Sequence, residues 1–439
     1  MKTISFRMMV VLLLCAFVLA ACAPVANQTS TATQAPASGK PVTLEFWEYA
    51  SMATSGFGVY TKAMIAEFES SHPNVTINVA GKNDDDLLAG LITSAASGTL
   101  PDVFVQSTAS SGELLAAGAV SNIYDRWMAM PESYRSQFLD ENIAMVTPES
   151  GVMYAVPYTG YGTIIYRNLT VLRNSGIDPS VTVTTMDDWL KDFKKISDAG
   201  FNALPDGSPF WYGIVSIYAG IADNPRAEWG IDFKNNKTLI NEDAYAKTAE
   251  FLIKAKPYTS KLEWDNQAST DQFIANQLAY YPDGAWMDPT FQDAKKNSGL
   301  DYDYALLPGV TADKHGGCSG YEMITINTKG PNADLAWEFL TFMTSKEAMT
   351  KMALDLGQLN ANNAAMTAAS TNPLIAISQI AAKGQPFNSP PFFIEPYPAG
   401  YISTMQDNMV AIYNGEMTPA DGAKKLITDL NLIIANRNK

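Results

Sequence analysis

Cysteine and histidine are nearly absent: the 439 residues include three Cys and two His. So few of the usual ligands argue against a zinc site, and thiols at positions 15, 22 and 318 make no disulfide framework. Basic residues are also short, with 30 Lys and Arg against 45 Asp and Glu for a formal charge of -15, the wrong sign for a nucleic-acid binder. Glycine (29) and proline (24) are too few for a collagen-like or low-complexity chain. Beyond the N-terminus no run approaches the roughly 20 apolar residues that a spanning helix needs. What is present is a globular composition, 47% hydrophobic and 17% charged, long enough for two or three domains with ordinary cores.

The first 21 residues carry Lys2 and Arg7, an apolar run from Met8 to Leu19, then Ala20 and Ala21, which predicts a secretion signal. Leu19-Ala20-Ala21-Cys22 resembles the lipobox of bacterial lipoproteins, in which the cysteine thiol receives a diacylglycerol and becomes the first residue after cleavage. Residues 22–40, rich in Ser, Thr, Ala, Gln and Pro, then read as a flexible tether. The expected product is exported and held at the outer face of the cytoplasmic membrane, cell surface or periplasm, through Cys22 alone. Cys15 leaves with the signal, so Cys318 has no cysteine to pair with.

From Pro41 strand and helix signals alternate. Val42 to Trp47 reads as a strand, Tyr60, Met64, Ile65 and Phe68 recur at helical spacing, and Val75 to Val79 is a second strand. Leu87, Leu88, Leu91, Ile92 and Ala95 mark another helix before a strand at Pro101 to Val105, a βαβ order that implies a parallel sheet covered by helices. A second region opens with strands at Val152 to Tyr158 and Thr163 to Arg167, followed by helices at Met186 to Ala199 and Asp243 to Lys256. Strands at Leu278 to Tyr281, Tyr302 to Leu306 and Glu322 to Asn327 precede a helical end comprising Asn332 to Met343, Lys346 to Leu356, Tyr401 to Tyr413 and Pro419 to Ala435. Two α/β lobes with late helices packed over both account for this order.

Several segments occur in an order that resembles the extracellular carbohydrate-binding proteins of ATP-driven importers, the maltose-binding-protein-like group. They are Thr43-Leu44-Glu45-Phe46-Trp47, His72-Pro73-Asn74-Val75, Ser97 to Phe104, Gly151 to Tyr158, Ile165-Tyr166-Arg167-Asn168, Phe273 to Trp286, Leu307-Pro308-Gly309 and Ala336-Trp337-Glu338-Phe339-Leu340. The sequence departs from the family pattern at Asn276 to Tyr280 and at Arg167-Asn168. The resemblance implies a two-lobe periplasmic-binding-protein-like α/β fold with a ligand cleft between lobes joined by hinge strands, the crossings falling near Pro157 to Gly162 and Gly320 to Thr325. The first lobe then takes 41–158 and 323–368, the second 159–322 and 369–439. It further implies a monomer without a cofactor that captures a mono- or oligosaccharide by lobe closure and delivers it to transmembrane permease subunits. No P-loop follows the leader, so ATP hydrolysis belongs to a separate subunit.

A neutral sugar offers apolar ring faces and a rim of hydroxyls, so a site for it needs flat aromatics and planar polar groups at strand ends. Trp47 and Glu48 follow the first strand, Gln106 and Ser107 the third, and Tyr158 and Tyr161 flank Gly160 at the proposed hinge. Trp47 and Phe46 have opposite strand parity, so one of them faces the core and the other does not. Trp211 and Tyr212 sit in a loop-like stretch, Ser208 to Gly213. Asp283 and Trp286 occupy the family's Gly-Trp region, where the resemblance implies stacking on the ligand. Tyr321 and Tyr401 are further candidates. Asp84 belongs to an acidic run whose plainer role is at a helix N-terminus. The glycines of Tyr158 to Gly162 offer backbone freedom for a hinge, against which stands an ordinary bulge.

Two other functions stay open from sequence. A secreted glycosidase needs only two carboxylates a few ångströms apart, and a receptor for a polyamine, peptide or metal chelate needs only a different cleft. Gly317-Cys318-Ser319-Gly320-Tyr321 approaches a nucleophile elbow, but its last glycine is displaced.

Overall fold

A computed structural model describes residues 40–49, 56–107, 110–147, 151–205, 211–260, 266–386, 398 and 400–437. The leader, Cys22 and the tether to residue 39 lie outside the described residues, as do the side chains of Asp84, Trp211 and Tyr212.

The principal strands are β1 (Val42–Tyr49), β2 (Val75–Lys82), β3 (Val103–Ser107), β4 (Val156–Gly162), β5 (Ile164–Asn168), β6 (Tyr280–Asp283), β7 (Tyr302–Ala305), β8 (Ser319–Ile326) and β9 (Leu359–Asn360). Six of them form one sheet in the order β9-β4-β8-β3-β1-β2, in which β1 is parallel to β2 and β3, and β8 is antiparallel to both β3 and β4. Alternation in β1 decides its faces: Leu44, Phe46 and Glu48 are buried while Thr43 and Glu45 are exposed. The helix Gly56–Ser71 lays Tyr60, Met64 and Phe68 over the buried face. The helix Ala333–Met343, which follows β8, adds Phe339 at 5.6 Å from Phe46 and 5.2 Å from Phe68, both edge-on. A segment from late in the chain thus completes the first core, which runs from Leu44 to Tyr158 and from Met323 to Ala365.

A second, three-stranded antiparallel sheet has the order β6-β5-β7. Helices supply most of the core beside it, each with its apolar residues three or four apart: Trp189, Phe193 and Ile196 on Met186–Asp198, and Leu426, Leu430 and Ile434 on Pro419–Asn436. The two sheets are joined by the chain itself. β4 passes into β5 through Thr163 alone, and the Thr163 N–H donates to the carbonyl of Cys318, just before β8, at 3.0 Å. Both crossings therefore lie side by side.

Element boundaries differ from the sequence reading in several places, the strand read from Glu322 beginning at Ser319 among them. The strand expected at Val152 begins at Val156, because Met153, Tyr154 and Ala155 are buried without joining the ladder. The strand expected at Leu278 begins at Tyr280. The stretch read as a loop to Gly213 is helical from Trp211 to Ala219. The acidic run also has a neighbour that does the capping: Asn83 accepts a hydrogen bond from the Asp86 N–H at 2.9 Å and starts the helix Asp84–Ser97.

Candidate ligand-binding site

The carboxyl ends of β1 and β3 and the amino end of β8 share one edge of the large sheet, where Ser107 lies opposite Glu322 and Gln106 opposite Met323. Here the core turns polar. Glu48 is 1% exposed, its Oε2 accepts from the Thr61 hydroxyl at 3.4 Å, and its Oε1 has no hydrogen-bond partner among the described residues. Burial pushes its pKa up to about 8, so the carboxyl is protonated at neutral pH and can both donate and accept. Gln106 is as deeply buried, and neither its amide oxygen nor its nitrogen has a partner among the described residues. Each unmet group costs about 1–3 kcal/mol, a cost that packing alone does not explain. Tyr158, fully buried on β4, lies within the electrostatic reach of Glu48 and beside Tyr60, whose hydroxyl donates to the Ala348 carbonyl at 2.9 Å.

On the two crossing strands a pair of identical dipeptides meets head to tail. Gly160 lies opposite Tyr321, and Tyr161 lies opposite Gly320. Directly opposed residues share a face and successive residues alternate, so the two tyrosines point to opposite faces. A methyl group on Gly160 would stand 2.8 Å from Tyr321 Cε1, and one on Gly320 would stand 2.7 Å from Tyr161 Cε1. None of Gly160, Gly162 and Gly320 has a positive φ. In this conformation their backbone angles are open to any residue, and what the glycines provide is room. Gly162 likewise leaves space for the helix Pro373–Ala382, where a side chain would overlap the Ser378 carbonyl. A bulge does interrupt the β4–β8 ladder between Tyr321 and Met323, leaving Tyr158 and Thr159 together beside Glu322.

Tyr161 meets Trp286 edge to face, with centroids 5.4 Å apart and planes at 90°. The Trp286 ring folds back over Gly284, on which any side chain would overlap it. Asp283, opposite Ile164 at the end of β6, accepts a hydrogen bond from the Gly284 N–H at 2.8 Å. Desolvation pushes its pKa up to about 7 despite that bond.

The structure thus brings Glu48, Gln106, Ser107, Tyr158 and Tyr321 to one sheet edge, and Tyr161, Asp283 and Trp286 to the adjoining part of the second lobe. Two other candidates, Trp47 and Tyr401, lie elsewhere. Phe46, not Trp47, faces the core; Trp47 packs on Gly90 of the helix Asp84–Ser97, with the Lys82 ammonium 4.2 Å from its ring centroid. Tyr401 is 1% exposed in the second core, its hydroxyl 2.7 Å from that of Thr238. Cys318 is buried 3.1 Å from the Thr163 hydroxyl, and burial pushes its thiol up to about 12. The chain continues from it into a strand, with none of the strand-to-helix turn that exposes an elbow nucleophile.

Sequence reasoning gave no site role to Glu322, Gln358, Gly284 or Gly320. Gln358 donates to the Gly160 carbonyl at 2.6 Å and so ties a third segment to the crossing strand. For Gly320 there was a usable signal, the recurrence of Gly-Tyr at 160–161 and 320–321; Glu322 and Gln358 had none. Among the described residues no cluster of His, Cys, Asp and Glu fit to hold a metal ion occurs, and no helix is long and apolar enough to cross a membrane.

Residues 54–350 match the family described as bacterial extracellular solute-binding protein. The fold is shared with several solved structures. The GacH receptor of Streptomyces glaucescens, determined unliganded and with acarbose, is 17% identical, with a TM-score of 0.75 over 90% of this chain and 98% of that one. A solute-binding protein of an ABC transporter from Thermotoga lettingae, bound to alpha-D-tagatose, has the same identity and TM-score over 90% and 100%. A maltose/maltodextrin-binding domain from Bdellovibrio bacteriovorus, bound to maltotriose, is 16% identical with a TM-score of 0.71 over 90% and 100%.

Proposed function

Since the chain belongs to the bacterial extracellular solute-binding proteins, we propose that it is the capture subunit of an ATP-binding-cassette sugar importer, taking up a mono- or oligosaccharide between its lobes and handing it to the permease. The observation that carries this reading is the row of buried, unsatisfied polar groups, Glu48 and Gln106, on a sheet edge beside the two crossing strands. A neutral carboxyl and a carboxamide each offer a donor and an acceptor, as does a sugar hydroxyl. A polyamine would instead call for ionised carboxylates, whereas burial holds Glu48 and Asp283 towards their protonated forms. The sugars named for the structural relatives fit the same reading.

In this proposal the lobes are 41–158 with 323–368 and 159–322 with 369–439, a division supported by two separate apolar cores. Glu48, Gln106, Ser107, Tyr158 and Tyr321 approach the ligand from the first lobe; Tyr161, Asp283 and Trp286 approach it from the second. Contacts from both lobes exist together only in the closed state, so ligand shifts the hinge equilibrium by its differential affinity. The protein returns its ligand unchanged, works as a monomer and is held to the membrane by lipid on Cys22. A buried, protonated Cys318 supports binding over turnover.

A thermal-shift screen against a sugar panel tests the ligand class. A true ligand at a hundredfold excess over its Kd adds about 2.7 kcal/mol of stability. The radius of gyration should then fall in solution scattering with that sugar, and the sugar should be recovered intact. A panel with no hit, or steady consumption of the sugar, would overturn the reading. Cys22→Ala should move the protein from the membrane to the soluble fraction.

A further inference from the structure

We propose that Gly320 and Gly284 are positioning residues for the ligand-stacking ring, Gly320 acting through Tyr161 and Gly284 directly on Trp286. The proposal rests on the sugar-binding reading of Trp286 given above. A tryptophan that stacks on a sugar must hold one orientation, because the contact is lost once the ring planes tilt apart. Three observations show how this orientation is fixed. Trp286 folds onto Gly284, where a side chain of any size would overlap the indole. Its ring is met edge to face by Tyr161 at 5.4 Å and 90°. Tyr161 in turn lies on Gly320, where an added methyl group would overlap the phenol.

None of these glycines has a positive φ, so backbone conformation does not require them. Gly320 is on β8, Tyr161 on β4 and Trp286 just beyond β6, so the ring takes its bearing from both crossing strands. The mirror pair, Tyr321 over Gly160, sits on the opposite face and packs against the first core. It provides an internal control.

The test is made on the ligand-free protein. The emission of Trp286 is isolated by subtracting the spectrum of Trp286→Phe, and its wavelength and acrylamide quenching are compared across variants. Gly320→Ala and Gly284→Ala should each shift this emission and weaken binding of the sugar identified for the parent protein about tenfold. Gly160→Ala, which crowds Tyr321 instead, should leave the Trp286 emission where it is. Unchanged emission in Gly320→Ala, with or without a lower melting temperature, overturns the proposal. Should Gly320→Ala not fold, Tyr161→Leu introduces no clash and must shift the same emission; if it does not, the proposal falls. Because the signal is read without ligand, failure of the sugar panel would overturn the sugar reading and leave this geometry standing.

Discussion

Two sets of buried polar side chains at strand ends behave oppositely. In the second lobe Arg167 donates to Asp303 Oδ1 at 2.7 Å, to the Val181 carbonyl at 3.2 Å and to the Pro179 carbonyl at 3.3 Å. Asn168 beside it donates to the Phe273 carbonyl at 2.9 Å and to Asn276 Oδ1 at 3.0 Å, while accepting from the Val171 N–H at 3.0 Å. In the first lobe Glu48 and Gln106 are each 1% exposed, against 5% for Arg167 and 0% for Asn168, and their side chains make one long hydrogen bond in all, from the Thr61 hydroxyl to Glu48. Burial of polarity is therefore no mark of function by itself. The saturated set fixes a fold; the unsaturated set gives up stability, which on the function proposed above a bound sugar would restore.

The largest effect expected is on the saturated side. Arg167→Met should destabilise the protein by roughly 3 kcal/mol in urea denaturation, the low end for breaking a buried pair because Asp303 is partly exposed. Sugar affinity should stay put; an affinity loss as large as the stability loss would break the contrast. Trp286→Ala should do the reverse, weakening binding by roughly 1–3 kcal/mol in calorimetry with an almost unchanged melting temperature of the empty protein.

Gln106→Leu sharpens the comparison further. Removing two unmet groups should leave the ligand-free protein as stable as the parent or more stable by about 1 kcal/mol, while affinity falls by a similar amount. A clear loss of apo stability would mean that Gln106 is satisfied after all.

A further change is one of slope. Glu48 has a folded pKa of about 8 against 4.5 when free, so its share of stability is complete below about 4.5 and lost as pH rises through about 8. Asp283, raised from 3.8 to about 7, acts in the same direction. The melting temperature of the ligand-free protein should therefore decline across this window, and Glu48→Gln should flatten the upper part of the decline. An identical slope in the variant would remove Glu48 as its source.

Much of this was legible in the sequence where periodicity is strong. The helices Lys346–Leu356 and Tyr401–Tyr413 fall where their apolar spacing puts them. The first residues of β4 and β6 were not legible, because a continuous buried run such as Met153 to Val156 looks the same in or out of a ladder. Residue type and position after a strand made Glu48 and Gln106 candidates, but whether their atoms find partners is decided by tertiary packing that no local pattern shows. Tyr401 shows the converse: an aromatic residue flagged from its type alone lies in the second core. The role of Gly320 is set by a cross-strand register of 159 residues' separation, which no local pattern encodes.

The position of Cys318 has a practical consequence. Among the described residues it is the one free thiol, and it sits where both crossing strands leave the first sheet. Cys318 is buried in the second core, so a thiol reagent reaches it when the packing around it opens, and the rate of alkylation becomes a clock for opening beside the pivot. A sugar that holds the lobes shut should slow that clock, and a variant that loosens the pivot should speed it. The native chain thereby carries its own kinetic reporter, with no dye or engineered label to disturb the motion being timed.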